Sequence, residues 1–280
     1  MAMMINQKQR DKLAFNLAKE YLLNPKKYDN RGRVTKGLLE RYLRPDERPR
    51  ELAEIYKQML ESALGFKMVS RVVKLCVGEI SSLRRVLCEF EPARISERYK
   101  GPEELLAMIV KEFNLTGRIR TGSNDIFPKF CRTALDAATF LRKFQGAESF
   151  YEWADEFDCD PRARPALPLI IESHVNGYGF ALACNFIKEL GFENFAKPDV
   201  QLMDIFAGLG LSDDKDPYKV FCDIVRVAKH AGRTVTPFAV DKVFWLIGTG
   251  NFYKDDFKVK SHMRQFITYA KRELSHLGSE

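Results

Sequence analysis

The sequence predicts an all-α protein. Apolar residues recur at helical spacing along most of its 280 positions. Prolines and glycines punctuate the starts and stops of those runs, and alternating strand patterns are nearly absent. With 45% hydrophobic content the chain is long enough to bury a sizeable core. Internal repeats and low-complexity tracts are missing, which argues for a compact helical protein.

The elements follow in order. "RELAEIYKQMLESAL" sets Leu52, Ile55, Tyr56, Met59, Leu60 and Ala63 on one helical stripe. "GPEELLAMIVKEF" places Pro102 and two acids in a first turn, where the missing N–H costs nothing and negative charge suits the helix dipole. "NLTGRIRTGSND" reads as a polar loop; its Arg118 and Arg120 suit either a groove-probing loop or an exposed turn. "FPKFCRTALDAATFLRKF" and "SFYEWADEF" resume the helical period. "LPLIIESH" and "FALACNFIKEL" follow, the latter stopping at Gly191. "DPYKVFCDIVRVAKHAG" ends at a glycine, "TPFAVDKVFWLIG" begins with Thr236 and Pro237, and "FKVKSHMRQFITYAKREL" closes the chain.

Composition narrows the function classes. The chain carries 45 Lys and Arg against 38 Asp and Glu, for a formal net charge of +7. Residues 1–50 hold thirteen basic and six acidic residues, so the rest is nearly balanced. Such a basic arm suits a polyanion or simply a solvated helix face. No run of eighteen or more uncharged apolar residues occurs and the start lacks a signal-like segment, so a cytoplasmic, intracellular protein without membrane association is expected. The six cysteines are widely spaced, with no C-x-x-C, and read as small buried hydrophobes rather than metal ligands.

"VNGYGFALACNFIKELGFENFAKPD" carries the chemistry. Val175, Gly177 and Gly179 follow the pattern hydrophobic-x-Gly-x-Gly between two helical segments. Glycines there permit positive φ and close backbone approach, and the N–H groups opening the next helix form an anion site that can grip a DNA phosphate. A tight turn between two helices needs the same glycines. Asp199, after Lys197 and Pro198 and before "VQLMDIF", fits a helix N-cap. The N–H bonds of a cap also keep a carboxylate ionised, and an ionised carboxylate can stabilise a sugar cation or orient a water against it. Tyr178 could contact DNA or pack near it; Trp153, Trp245, Phe252 and Tyr253 could stack on a base or fill the core. His174 fits a phosphate contact, a partner of Asp199 or a helix cap. Asn176 and Lys188 fit phosphate contacts, and Lys188 fits a solvated helix position equally.

Together the hairpin, the helix ending at Gly191 and the Lys197-Pro198-Asp199 corner resemble the helix-hairpin-helix-GPD superfamily of DNA glycosylases, over roughly residues 165–205. The resemblance implies one compact unit over residues 1–280 with two helical lobes. Residues 55–195 would form one lobe, ending in the helix-hairpin-helix, and residues 1–54 with 196–280 the other. A cleft would lie between them, with the hairpin at its rim and Asp199 at the crevice. It implies Asp199 as the catalytic residue and Val175, Asn176, Gly177, Tyr178, Gly179, Phe180 and Ala181 as the DNA-binding segment, with double-stranded DNA as partner and a monomer as the acting species. Members that cleave the strand carry a lysine about eighteen residues before the aspartate; here that position is Ala181, which has no nucleophile. A monofunctional glycosylase is therefore implied. The family's optional iron–sulfur cluster needs four closely spaced cysteines after the aspartate, and only Cys222 lies there, so no cofactor is expected. The alternative is a non-catalytic helix-hairpin-helix DNA-binding protein in which Asp199 is only a cap.

Overall fold

Side-chain oxygens cap the starts of several helices, and two helices stop at left-handed glycines, Gly210 and Gly250. The computed structural model describes residues 6–28, 32–64, 73, 75–115, 117 and 119–276. The described chain is predominantly helical and divides into two units, Met1–Asp46 with Gly191–Glu280, and Glu47–Leu190.

The first unit opens with α1 (Gln7–Leu23) and α2 (Lys36–Tyr42). Asn6 and Gln9 close a reciprocal capping box on α1, and the Thr35 hydroxyl caps α2. The second unit holds α3 (Leu52–Ala63), α4 (Pro92–Arg98), α5 (Pro102–Glu112), α6 (Ile126–Leu141), α7 (Ala147–Asp158), α8 (Ala166–His174) and α9 (Phe180–Glu189). After Gly191 the chain re-enters the first unit with α10 (Val200–Leu209), α11 (Pro217–Ala231), α12 (Pro237–Thr249) and α13 (Met263–His276). Thr236 caps α12 ahead of Pro237, as its sequence predicts. The segment 114–125 has neither helix nor strand among its described residues; Arg118 lies outside them.

In the first unit, α1 packs along α11, and α12 packs against α1, α10 and α13. Phe206, Phe244 and Phe266 form an aromatic spine through its core. Asp11 is fully buried there, yet it is well supplied: Arg226 Nε donates at 2.9 Å, His230 Nδ1 lies at 2.7 Å and Gln7 Nε2 donates at 2.8 Å. A buried carboxylate is tolerated only with such compensation. The one strand pair among the described residues, Asn251–Phe252 with Phe257–Lys258, is antiparallel and follows Gly250. Two-residue strands leave no readable alternation, which explains why the sequence pattern misses them.

In the second unit α6 is central, packing against α3, α4, α5 and α8. The Tyr56 hydroxyl on α3 donates to the Ala134 carbonyl at 3.0 Å. Cys88, Glu89 and Phe90 take consecutive positive φ values of 49°, 61° and 66°. Each non-glycine residue held there costs on the order of 1–2 kcal/mol. Glu89 is the most solvent-facing of the three and pairs with Arg84 at the surface. Glu89→Gly is therefore expected to leave the stability within about 1 kcal/mol, relief of strain offsetting glycine's greater unfolded-state entropy. Glu89→Val should cost roughly 2 kcal/mol, since a branched Cβ fits the left-handed region worst. Urea unfolding of the two variants checks the difference.

Half of the six cysteines depart from expectation. Cys88, Cys131 and Cys184 are buried, but Cys159 and Cys222 are exposed and Cys76 is half-buried. A cysteine's burial depends on which helix face it occupies, and isolated positions do not report that. No group of three or more His, Cys, Asp or Glu side chains arranged to hold a metal occurs among the described residues. No helix among them is long and apolar enough to cross a membrane.

Candidate functional site

The glycine turn is held from below. α8 ends at His174, and the chain passes through Val175, whose N–H still donates to Ile171. Gly177 has φ +82°, and Tyr178 N–H closes the turn on the Val175 carbonyl at 3.1 Å. Gly179 caps α9 by backbone alone. Two side chains of α6 latch the loop. Thr133 Oγ1 donates to the Asn176 carbonyl at 2.6 Å, and Asp136 accepts from Asn176 N–H at 3.1 Å. The N–H groups of Gly177 and Gly179 meet no protein acceptor among the described residues, and both glycines are exposed. Two unsatisfied donors on a latched turn at a helix N-terminus can accept an anion without rearranging. Asp136 works against that attraction, since it already occupies one N–H and adds negative charge.

The side chains of this segment divide sharply. Asn176, Gly177 and Gly179 face solvent and Ala181 is half-buried. Val175, Tyr178 and Phe180 are core residues, so the solvent-facing part of the segment is its backbone together with Asn176. Tyr178 is only 5% exposed, and its hydroxyl donates to the Met59 carbonyl on α3. Burial pushes its phenol well above the ordinary tyrosine range, so it stays a donor. Flanking glycines do not force a ring outward; here the turn directs it onto α3. Tyr178→Phe is accordingly expected to cost about 1 kcal/mol of stability while leaving affinity for any duplex unchanged, as thermal melting and a duplex titration would register.

His174 acts within its own helix. Its Nδ1 lies 2.9 Å from the Ile170 carbonyl, and its ring packs near Phe140. In the last turn of α8 this contact serves a helix carbonyl, as a cap does. Lys188 is buried and ion-paired with Glu189 at 3.2 Å, which corrects the solvated-position reading. Trp153 joins Phe140, Phe144, Phe150 and Phe157 in an aromatic cluster. Phe252 is fully buried and stacked on Phe257 at 4.6 Å. Among the aromatic candidates only Tyr253 is substantially exposed, at 43%, with Trp245 half-buried beside it at 5.9 Å.

Asp199 belongs to the first unit and is the N-cap of α10. Its Oδ1 accepts from Gln201 N–H and Leu202 N–H, each at 3.0 Å. The preceding corner is anchored on both sides. Phe195, Ala196 and Pro198 are buried, and Lys197 N–H donates to the buried carboxylate of Asp241 on α12 at 2.9 Å. Asp199 N–H donates to the Lys197 carbonyl at 2.8 Å. Asp199 itself is half-buried, and its neighbour Val200 is 67% exposed. The carboxylate is thus oriented by two N–H groups at the N-terminus of α10, on a half-buried residue.

Sequence reasoning missed Asp241 and Lys242. Both are buried on α12, Lys242 being 4% exposed. The available signal was two charges inside the otherwise apolar "TPFAVDKVFWLIG", since buried charges require partners. No protein-family model, curated protein or solved structure matches the chain.

Proposed function

We propose that the protein is a monofunctional DNA glycosylase, acting as a monomer on double-stranded DNA to hydrolyse the N-glycosidic bond of a damaged, mispaired or modified base. The observation that carries this reading is the carboxylate of Asp199, aimed by two N–H donors on a corner bolted to Asp241 and left reachable beside Val200. A base inside a duplex must be extruded before its sugar bond can be attacked. As that bond breaks, positive charge develops on the sugar; an ionised, pre-oriented carboxylate stabilises the charge and directs a water to the anomeric carbon. The turn around Gly177 and Gly179 supports the reading independently. Its outward N–H groups suit a phosphate, a contact that positions DNA without reading sequence. Ala181 stands where strand-cleaving enzymes of this kind have a lysine, so no imine forms there and strand scission awaits alkali.

The competing reading, a non-catalytic DNA-binding protein, is favoured by the same two hydrogen bonds if capping is all that Asp199 does. Turnover separates the two. Protein incubated with duplexes carrying alkylated purines, uracil, thymine mispairs or oxidised bases, then treated with alkali, should break at least one of them. Intact strands on every substrate would remove the glycosylase reading and leave the binding protein.

A further inference from the structure

Lys242 is a buried amine that lies beside three aromatic rings. Its Nζ lies 5.2 Å from the Phe238 ring, 5.9 Å from Trp245 and 5.2 Å from Tyr253, and donates to the Tyr253 hydroxyl at 2.9 Å. The Phe238 and Trp245 rings offer the ammonium cation–π contact, and Tyr253 offers its hydroxyl oxygen.

Two contacts place this ammonium relative to Asp199. Lys197 meets α12 at Asp241, and Gln201 packs on α12 at Gly248, its Cβ lying 3.4 Å from where a Gly248 side chain would begin. Asp241 and Gly248 are separated by about two helical turns, or roughly 10 Å. Asp199, midway between Lys197 and Gln201, therefore lies alongside the intervening turns of α12. Phe238, Lys242 and Trp245 stand at i, i+4 and i+7 on the stripe next to that contact line. Val200, next to Asp199, and Tyr253, hydrogen-bonded to Lys242, are both exposed.

We infer that Lys242, with Trp245 and Tyr253, forms the base-recognition part of the Asp199 site and selects neutral bases bearing ring carbonyls over cationic alkylpurines. This rests on the glycosylase reading and names its substrate class. An ammonium donates to carbonyl oxygens, and the aromatic faces stack on any planar base. A neutral base leaves as an anion, so the ammonium stabilises charge that appears only as the bond breaks. A methylated purine is already cationic. It is repelled on entry and leaves neutral, gaining nothing from Lys242.

The step balances. The bond from C1′ to the base nitrogen breaks heterolytically, its electron pair leaving with the base. Water adds to C1′ and passes a proton to Asp199, while the departing anion takes a proton from Lys242. Solvent then returns a proton to the amine and removes one from the carboxyl.

The test is single-turnover base release from duplexes carrying uracil, 8-oxoguanine or N3-methyladenine, by the wild-type protein, Lys242→Met and Lys242→Arg. The wild type should release at least one carbonyl base 100-fold or more faster than methyladenine. Lys242→Met should lose that advantage by at least 100-fold, and Lys242→Arg should restore most of it, which a merely structural role would not produce. If Lys242→Met melts early, Tyr253→Phe at its exposed position should slow release of carbonyl bases about tenfold and leave methyladenine unchanged. Preference of the wild type for methyladenine, or equal rates with Lys242→Met, overturns this inference alone. Release of no base by the wild type overturns it together with the reading beneath it.

Discussion

Asp199→Asn is expected to lower base release by about three orders of magnitude while the protein melts within a few degrees of the wild type. The first half follows from charge. Asparagine is isosteric but neutral, so it neither stabilises a cationic sugar nor takes a proton from water, and loss of a pre-oriented electrostatic partner typically costs 10²–10³-fold. The second half follows from capping. Asparagine is as good an N-cap as aspartate, so its side-chain oxygen can keep both bonds now made to Gln201 and Leu202. The interaction of the charge with the α10 dipole is lost, about 0.3–1 kcal/mol. Asp199→Ala should abolish release too, but it also removes the cap and should cost about 1 kcal/mol. Rates measured beside melting curves therefore separate the two roles that one carboxylate can hold. An asparagine variant that releases base at the wild-type rate reduces Asp199 to a cap.

Gly250→Ala is expected to be the most destabilising of the small substitutions, by about 3 kcal/mol or more. Gly250 ends α12 in the left-handed conformation, φ +65°, and its N–H donates to Leu246. The penalty for an L-residue there is on the order of 1–2 kcal/mol before any contact is considered. A Cβ would also lie 2.3 Å from the Val259 carbonyl oxygen and 2.8 Å from that of Lys260. Those obstacles are backbone atoms that no rotamer change can clear. Val259 N–H bonds back to the Gly250 carbonyl at 2.8 Å, so relief would pull apart the short strand pair and shift Tyr253 with it. Denaturant unfolding measures the loss. A variant as stable as the wild type would mean that the chain takes another path after α12.

Much of the helical framework was legible because helix signals are local. The Leu52 to Ala63 stripe, the Thr236-Pro237 start and the stop after α11 are set by neighbours three or four residues apart, and all appear where the pattern puts them. Asp199 as a cap was legible for the same reason: its partners are the next two N–H groups but one. The Cys88–Phe90 turn was not. Three consecutive non-glycine residues in a left-handed path contradict local preference and persist only because packing against α3 and α4 holds them.

The sequence by itself determined the all-α class, several helix starts and stops such as Thr236-Pro237 and Gly232, and the capping position of the aspartate after Pro198. Tertiary structure alone decided that Tyr178 points inward to Met59, that α6 latches the turn through Thr133 and Asp136, and that Lys242 lies beside three rings. The reason is one of range. Periodicity and capping are written in adjacent residues, whereas the burial of a polar group depends on what packs against it from positions such as 59 and 178, or 197 and 241, that only the folded chain brings together.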